Sequence, residues 1–233
     1  ESALEAADAV RALDRRGDRF AQDHGANRWV KGMNKMGNNV LPWLAIGGAA
    51  AAALDGSDPA RSRTGYAALE AGGTALLAVT GLKSVFGRAR PYNELGNRAF
   101  KPFSMTAGYD SLPSGHTIIT WAVATPFAQE YDAPWLYGVA AITNLARVGS
   151  RQHWLSDTVA GSVLGYAIGK VFWESSRAPK KGTPRVLIHP SGVNLALVLQ
   201  IVTFSSTPQQ PLPPVQVRLL QIIYQLLHNP ALL

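Results

Sequence analysis

Every long apolar stretch in this chain is interrupted by a charge or a proline before it reaches the length of a bilayer crossing, and within each stretch the apolar residues recur at helical intervals. The best candidate for a span, VLPWLAIGGAAAAAL from Val40 to Leu54, is short, rich in alanine and contains Pro42. Other runs are broken by Glu70 and Lys83, by Glu130 and Asp132, or by Asp157 and Lys170. A crossing helix needs about 20 mostly apolar residues, and a charge facing lipid is costly. The expectation is an all-α fold: a compact soluble bundle of about six helices that makes peripheral membrane contact. An integral-membrane bundle is the alternative if short spans are tolerated.

Leu4, Ala7, Val10, Leu13 and Phe20 recur among Arg and Asp and give an amphipathic opening helix from Ala3 to about His24. A second helical region runs from about Trp29 to Leu54 with interruptions at Gly37 and Pro42, and DGSDPARSR forms the polar break after it. A third helix spans about Thr64 to Phe86. Residues 87–115 are rich in Gly, Pro and Asn and read as a long surface loop, the kind of segment that often carries function. Helical patterns resume over about His116–Gln129, Pro134–Val148 and Trp154–Trp173. The helical domain is expected over 1–185. RVLIHP and VNLALVLQIVTF, around Ser191-Gly192, read as a small β-hairpin over 186–204. The Pro/Gln-rich apolar tail, 205–233, reads either as a linker with a short apolar helix or as vector-encoded or frameshifted sequence, and takes no catalytic role.

Charged residues are only 16% of the chain, and its 22 glycines suit closely packed helices. The formal charge of +7 favours anionic partners such as phosphates, acidic lipid surfaces or nucleic acid, and no nucleic-acid motif accompanies it. With no cysteine, disulfides, thiolate metal sites and a cysteine nucleophile are excluded. A start at Glu1 without Met reads as a removed signal peptide, hence a periplasmic or other extracytoplasmic place, or as trimmed sequence.

Three short blocks concentrate the reactive side chains. In RVGSRQHWLSD, His153 and Asp157 are four residues apart, so on a helix the carboxylate can hold the imidazole by one nitrogen and leave the other free. Gly149 and Ser150 suggest a turn that folds Arg147 back toward the histidine. In KSVFGRARP, Lys83 and Arg90 are seven residues apart and can share one face if the helix reaches that far before Pro91 ends it. In PSGHT, Ser114 and Gly115 open a helix whose N–H groups and dipole favour an oxyanion, with His116 in its first turn. Each block alone also fits a plain role: a buried polar pair, a basic helix end, an N-cap with an exposed histidine. Together they supply cations, an anion cradle and two histidines, the parts needed for phosphoryl transfer with one histidine attacking phosphorus and the other protonating the leaving oxygen. Covalent catalysis by histidine calls for no metal or other cofactor.

These blocks resemble those of the type 2 phosphatidic acid phosphatases, which share a core with vanadium haloperoxidases and bacterial class A acid phosphatases. The family pattern is Lys, six residues, Arg-Pro; then Pro-Ser-Gly-His; then Ser-Arg, five residues, His, three residues, Asp. Lys83 to Pro91, Pro113 to His116 and Arg147 to Asp157 match it in order and spacing, with Ala146 the one departure where the family usually has serine. The resemblance covers about residues 65–173. It implies that His153 is the nucleophile that forms a phosphohistidine, Asp157 its hydrogen-bond partner and His116 the general acid, with Lys83, Arg90, Arg147, Ser114 and Gly115 binding phosphate. The missing hydroxyl at Ala146 is expected to weaken anchoring or to be supplied by Ser150.

The implied activity is a metal-independent, vanadate-sensitive phosphatase of monoesters or pyrophosphates, with lipid phosphates preferred and soluble phosphate esters as the alternative. A vanadium haloperoxidase and a basic membrane-binding module are the further readings.

Overall fold

The computed structural model describes residues 2–104 and 106–177. The chain divides into two compact units, Glu1–Ala9 with Gly182–Leu233 and Val10–Lys181. The described part of the first is the opening of one helix, and the packing below is that of the second. The hairpin expected at 186–204 and the tail at 205–233 lie outside the described residues.

The described chain is all-helical: α1 (Ser2–His24), α2 (Arg28–Lys35), α3 (Leu41–Leu54), α4 (Pro59–Phe86), α5 (Gly115–Glu130), α6 (Trp135–Gly149) and α7 (Leu155–Arg177). A five-residue π-helical turn, Met36–Val40, joins α2 to α3 without a break, so these three segments form the second of six helical regions. The interruptions expected at Gly37 and Pro42 fall there: Gly37 is buried in the π turn, and Pro42, which has no N–H to donate, sits where that turn passes into α3. α4 begins earlier than its apolar pattern suggests. Asp58 caps the N–H groups of Ala60 and Arg61 at 2.9 and 3.2 Å, and Pro59 takes the first helical position, so DGSDPARSR is part break and part helix start. At its other end α4 stops at Phe86, where Gly87 adopts φ +57° and any Cβ would run into the Lys101 carbonyl. Arg90 therefore follows the helix in extended backbone and does not share a helical face with Lys83.

α5 runs through the middle of the bundle, packed most closely on α7 and α4. Its contacts are made by small residues. Ala71, Ala75 and Val79 of α4 meet Ile118 and Ala122 of α5, while Ala49 of α3 and Ala68 of α4 close on Val123. On α7, Gly161, Gly165 and Gly169 lie one turn apart along α5: a Cβ at Gly161 would sit 3.0 Å from the Ser114 carbonyl, one at Gly169 2.6 Å from that of Ala122, and one at Gly165 would strike that of Ile118. The abundance of Ala and Gly is thus spent on bringing helix axes together. No helix among the described residues is long and apolar enough to cross a membrane.

Residues 87–114 cross the bundle end where α4 and α6 finish and α5 and α7 begin. This segment is only in part the surface loop expected of it: Glu94 to Gly96 and Lys101 to Phe103 are exposed, whereas Arg88, Ala89, Asn97, Ser111 and Leu112 are buried, and the segment is stitched by backbone bonds from Ala89 to Ala99, Lys101 to Gly87 and Ser111 to Arg88. Pro91 and Pro113 are buried while Gly96 and Pro102 are exposed, so its Gly and Pro residues mark turns whether or not these reach the surface.

Candidate active site

All three blocks meet at this bundle end. Lys83 lies in the last turn of α4, Arg90 just beyond it, Ser114 to His116 at the start of α5, Arg147 in the last turn of α6, and His153 just ahead of α7. The turn expected after Arg147 is present: Gln152 and His153 both donate their N–H to the Arg147 carbonyl, and Arg151 takes φ +55° to make the reversal.

The cations are held unequally. Lys83 Nζ donates to the Asp110 carbonyl at 2.7 Å, and Arg90 forms a two-pronged pair with the Asp110 carboxylate, Nε to Oδ1 at 2.7 Å and Nη2 to Oδ2 at 2.6 Å. Arg90 Nη1 donates to Gln152 at 2.6 Å. These partners, the hydrogen bond from Arg90 first, hold the Asp110 carboxyl below the usual carboxylate range. Among the described residues Arg147 pairs with no acid. It is 7% exposed, its Nη1 donates to Asn38 at 3.1 Å, and its Nε has no hydrogen-bond partner among them. Burial, then the charge of Arg90, pulls its pKa down to about 10. A buried guanidinium in this condition favours an incoming anion.

Both histidines face these cations. His153 is 1% exposed, and its Nδ1 lies 2.6 Å from the Ser111 carbonyl. A carbonyl can only accept, so Nδ1 carries the proton and Nε2 keeps its lone pair. Burial first, then Arg147, Lys83 and Arg90, holds His153 well below its ordinary pKa, in the neutral form a nucleophile requires. His116 remains exposed at the mouth, yet partial desolvation of its ring and the same three charges lower it to about 4.

Asp157 is not the direct partner of His153 that the motif implies. His153 precedes the helix, so the two do not have same-face helical geometry, and the carboxylate stands 3.9 Å from Nδ1. Asp157 instead accepts from Ser111 Oγ at 2.5 Å, the Trp154 N–H at 2.9 Å and Arg88 Nη1 at 2.5 Å. Arg88 reaches on with Nη2 to Asp14 of α1 at 2.8 Å, and Asp14 also accepts from the N–H and hydroxyl of Ser156. Burial raises the Asp157 carboxyl above its ordinary value, and Arg88, Ser111 and Trp154 offset only part of that rise. Three donors aimed at two oxygens favour the ionised form.

Ser114 occupies the N-cap position of α5 without capping it; its hydroxyl accepts from Thr117 at 3.0 Å. The first N–H groups of α5 are thus left for an anion. A Cβ on Gly115 would lie 3.8 Å from Lys83 Cε, which places this backbone beside the ammonium. The Ser150 hydroxyl is engaged elsewhere, accepting from Asn38 and donating to the Ala146 carbonyl at 2.7 Å, so it does not stand in for a serine at 146. Ala146 itself is buried against Gly37 of the π turn.

Asn38, Arg88, Asp14, Asp110, Ser111 and Gln152 were not legible as site residues. Two signals were available: Asn38-Asn39 is a polar pair inside an apolar region, and Asp110 is an acid just before PSGH. Among the described residues no three His, Asp or Glu side chains gather as metal ligands; the cluster is cationic and suits an anion.

The sequence model of the PAP2 superfamily matches residues 65–180, and the chain belongs to that superfamily. It is 35% identical over 100 residues to a protein of Porphyromonas gingivalis named lipid A 1-phosphatase, a match covering 40% of this chain and 20% of that one. A Rhizobium etli protein of the same name is 36% identical over 91 residues, covering 36% of this chain and 38% of the relative. The chain thus aligns with well under half the length of these relatives. No solved structure matches it.

Proposed function

We propose that this protein is a phosphatase acting on the phosphate of a lipid through a phosphohistidine on His153, without a metal. The observation that carries the reading is Arg147: a buried guanidinium with an unpartnered Nε, set with Lys83 and Arg90 around two neutral histidines and an uncapped helix start. A phosphate group supplies the anion this arrangement favours. In the first step Nε2 of His153 forms a bond to phosphorus as the ester P–O bond breaks, and His116, protonated once the bound phosphate has offset the surrounding cations, gives its proton to the leaving oxygen. Water then attacks the phosphohistidine with His116 taking its proton, the P–N bond breaks, and inorganic phosphate leaves. Lys83, Arg90, Arg147 and the first N–H groups of α5 offset the charge on the equatorial oxygens. Asp157 acts indirectly, through Ser111 and Trp154, on the segment that carries His153.

The relatives' names, lipid A 1-phosphatase, support a phosphorylated lipid over a soluble ester. An open cleft of about 500 Å³ beside Lys83, Arg90 and Asp110 gives the substrate room. The extracytoplasmic location and the peripheral membrane contact belong to the same reading, as does sensitivity to vanadate, which mimics the five-coordinate phosphorus.

Phosphate release from matched long-chain lipid phosphate and soluble aryl phosphate, in excess chelator, tests this. Release should be faster from the lipid, survive the chelator and disappear in His153→Ala. A folded His153→Ala protein that keeps its turnover would remove the histidine from its role.

A further inference from the structure

Asp110 lies outside the blocks that mark the site, yet it grips the cations of one of them from the segment that begins another. Its carboxylate takes two nitrogens of Arg90, its carbonyl takes Lys83 Nζ at 2.7 Å, and the same ammonium is 3.5 Å from its carboxylate. The next residue continues the pattern: the Ser111 carbonyl holds His153 and its hydroxyl holds Asp157. Four residues after Asp110 the chain reaches Ser114 and the start of α5.

The donors these contacts leave over show what the grip does. A guanidinium has five N–H groups and an ammonium three. With Asp110 on Nε and Nη2 and Gln152 on Nη1, Arg90 keeps one N–H on each terminal nitrogen, and Lys83 keeps at least one. A carboxylate standing in the phosphate's own place would be expected to engage Arg147 too, but Arg147 turns to Asn38 and its Nε has no partner. The Asp110 side chain is 43% exposed and lines the cleft beside the two cations.

We propose that Asp110 is a positioning residue for the phosphate cradle, fixing Lys83 and Arg90 side by side so that the N–H groups they retain converge on the anion at the start of α5. This rests on the phosphate reading above. Without the carboxylate, Arg90 keeps its charge but loses the two-pronged contact that sets the plane of its guanidinium.

The test measures binding of inorganic phosphate to the purified chain by calorimetry, alongside KM and kcat on lipid phosphate. Asp110→Asn keeps the size and one acceptor oxygen, and should weaken phosphate binding roughly tenfold, with KM rising in parallel. In an Arg90→Ala background the same substitution should change phosphate affinity by less than about twofold, because the group it positions is gone. Asp110→Glu, which retains the charge one methylene further out, should show a smaller loss and serves if the asparagine variant does not fold. A folded variant that binds phosphate as tightly as wild type, or more tightly, overturns the proposal, and so does an equal loss with and without Arg90. Absence of phosphate binding by the wild type overturns it as well. Phosphate binding with the expected coupling but no turnover of any ester would sink the phosphatase reading alone.

Discussion

His116 and His153 meet the same three positive charges, but the site reading asks opposite things of them. His153 must be unprotonated to attack, and the cations and its burial keep it so. His116 must hold a proton when the leaving oxygen departs, yet without an anion nearby its value is about 4. A bound phosphate cancels the repulsion from Arg147, Lys83 and Arg90, so substrate raises His116 and recruits the acid only once there is something to protonate. The expected result is an upward move of the His116 titration, followed by NMR, when inorganic phosphate or vanadate is added; no movement would place the ring outside the cradle. Both depressed values also affect folding. The unfolded chain takes up these protons near pH 6.5 and the folded chain resists them, so this part of the stability is full above about 6.5 and drains as pH falls toward about 4 for His116. At the same scale, Arg147→Ala should cost roughly 10- to 100-fold in kcat/KM, the worth of one or two charged hydrogen bonds. Arg147→Lys should recover little, because a point charge on a flexible stem does not replace a fixed fork. Kinetics on the lipid substrate check both.

Between elements, the main tie is Arg88. Its guanidinium carbon is 5.6 Å from the ring centres of both Phe100 and Trp154, and it joins Asp14 of α1 to Asp157 of α7. Arg88→Ala leaves two buried carboxylates facing each other without their cation, a loss of about 3 to 5 kcal/mol, large against the stability of a domain. Urea denaturation should show it as a lower midpoint; a midpoint equal to wild type would mean that solvent reaches the acids. This tie also marks what sequence could and could not reveal. The helices were legible because long apolar-rich runs are separated by polar breaks, and even the irregular π turn between α2 and α3 was announced by Gly37 and Pro42. The motif blocks were legible because their residues are close in sequence. Asp14, Arg88 and Asp110 were not, since their partners lie 20 or more positions away and nothing local distinguishes a buried ion pair from a surface charge. The Gly, Pro and Asn content of 87–114 pointed to turns and said nothing of the burial those turns would reach.

For the molecule as a whole, the distribution of charge suggests how such a site meets a lipid. α3 carries no charge, and its outward side presents Trp43 and Leu44, 71% and 64% exposed, in the same helical region as the exposed Arg28, Lys31 and Lys35 of α2. The outward side of α4 presents Leu76 and Leu77 a turn or two before Lys83. The membrane contact proposed above assigns this surface to the headgroup layer of an acidic bilayer, with apolar groups below and cations at the phosphates. The π turn that leads from α2 into α3 also delivers Asn38 to Arg147, so this helical region touches the cradle at its middle. Trp43→Lys should leave turnover of a soluble aryl phosphate unchanged, since Trp43 touches no catalytic group, and should lower both sedimentation with phosphatidylglycerol vesicles and release from lipid phosphate held in them. Equal loss on both substrates would mean the substitution damages the bundle. No loss on either would free α3 from any part in reaching the membrane and turn attention to the apolar face of α4.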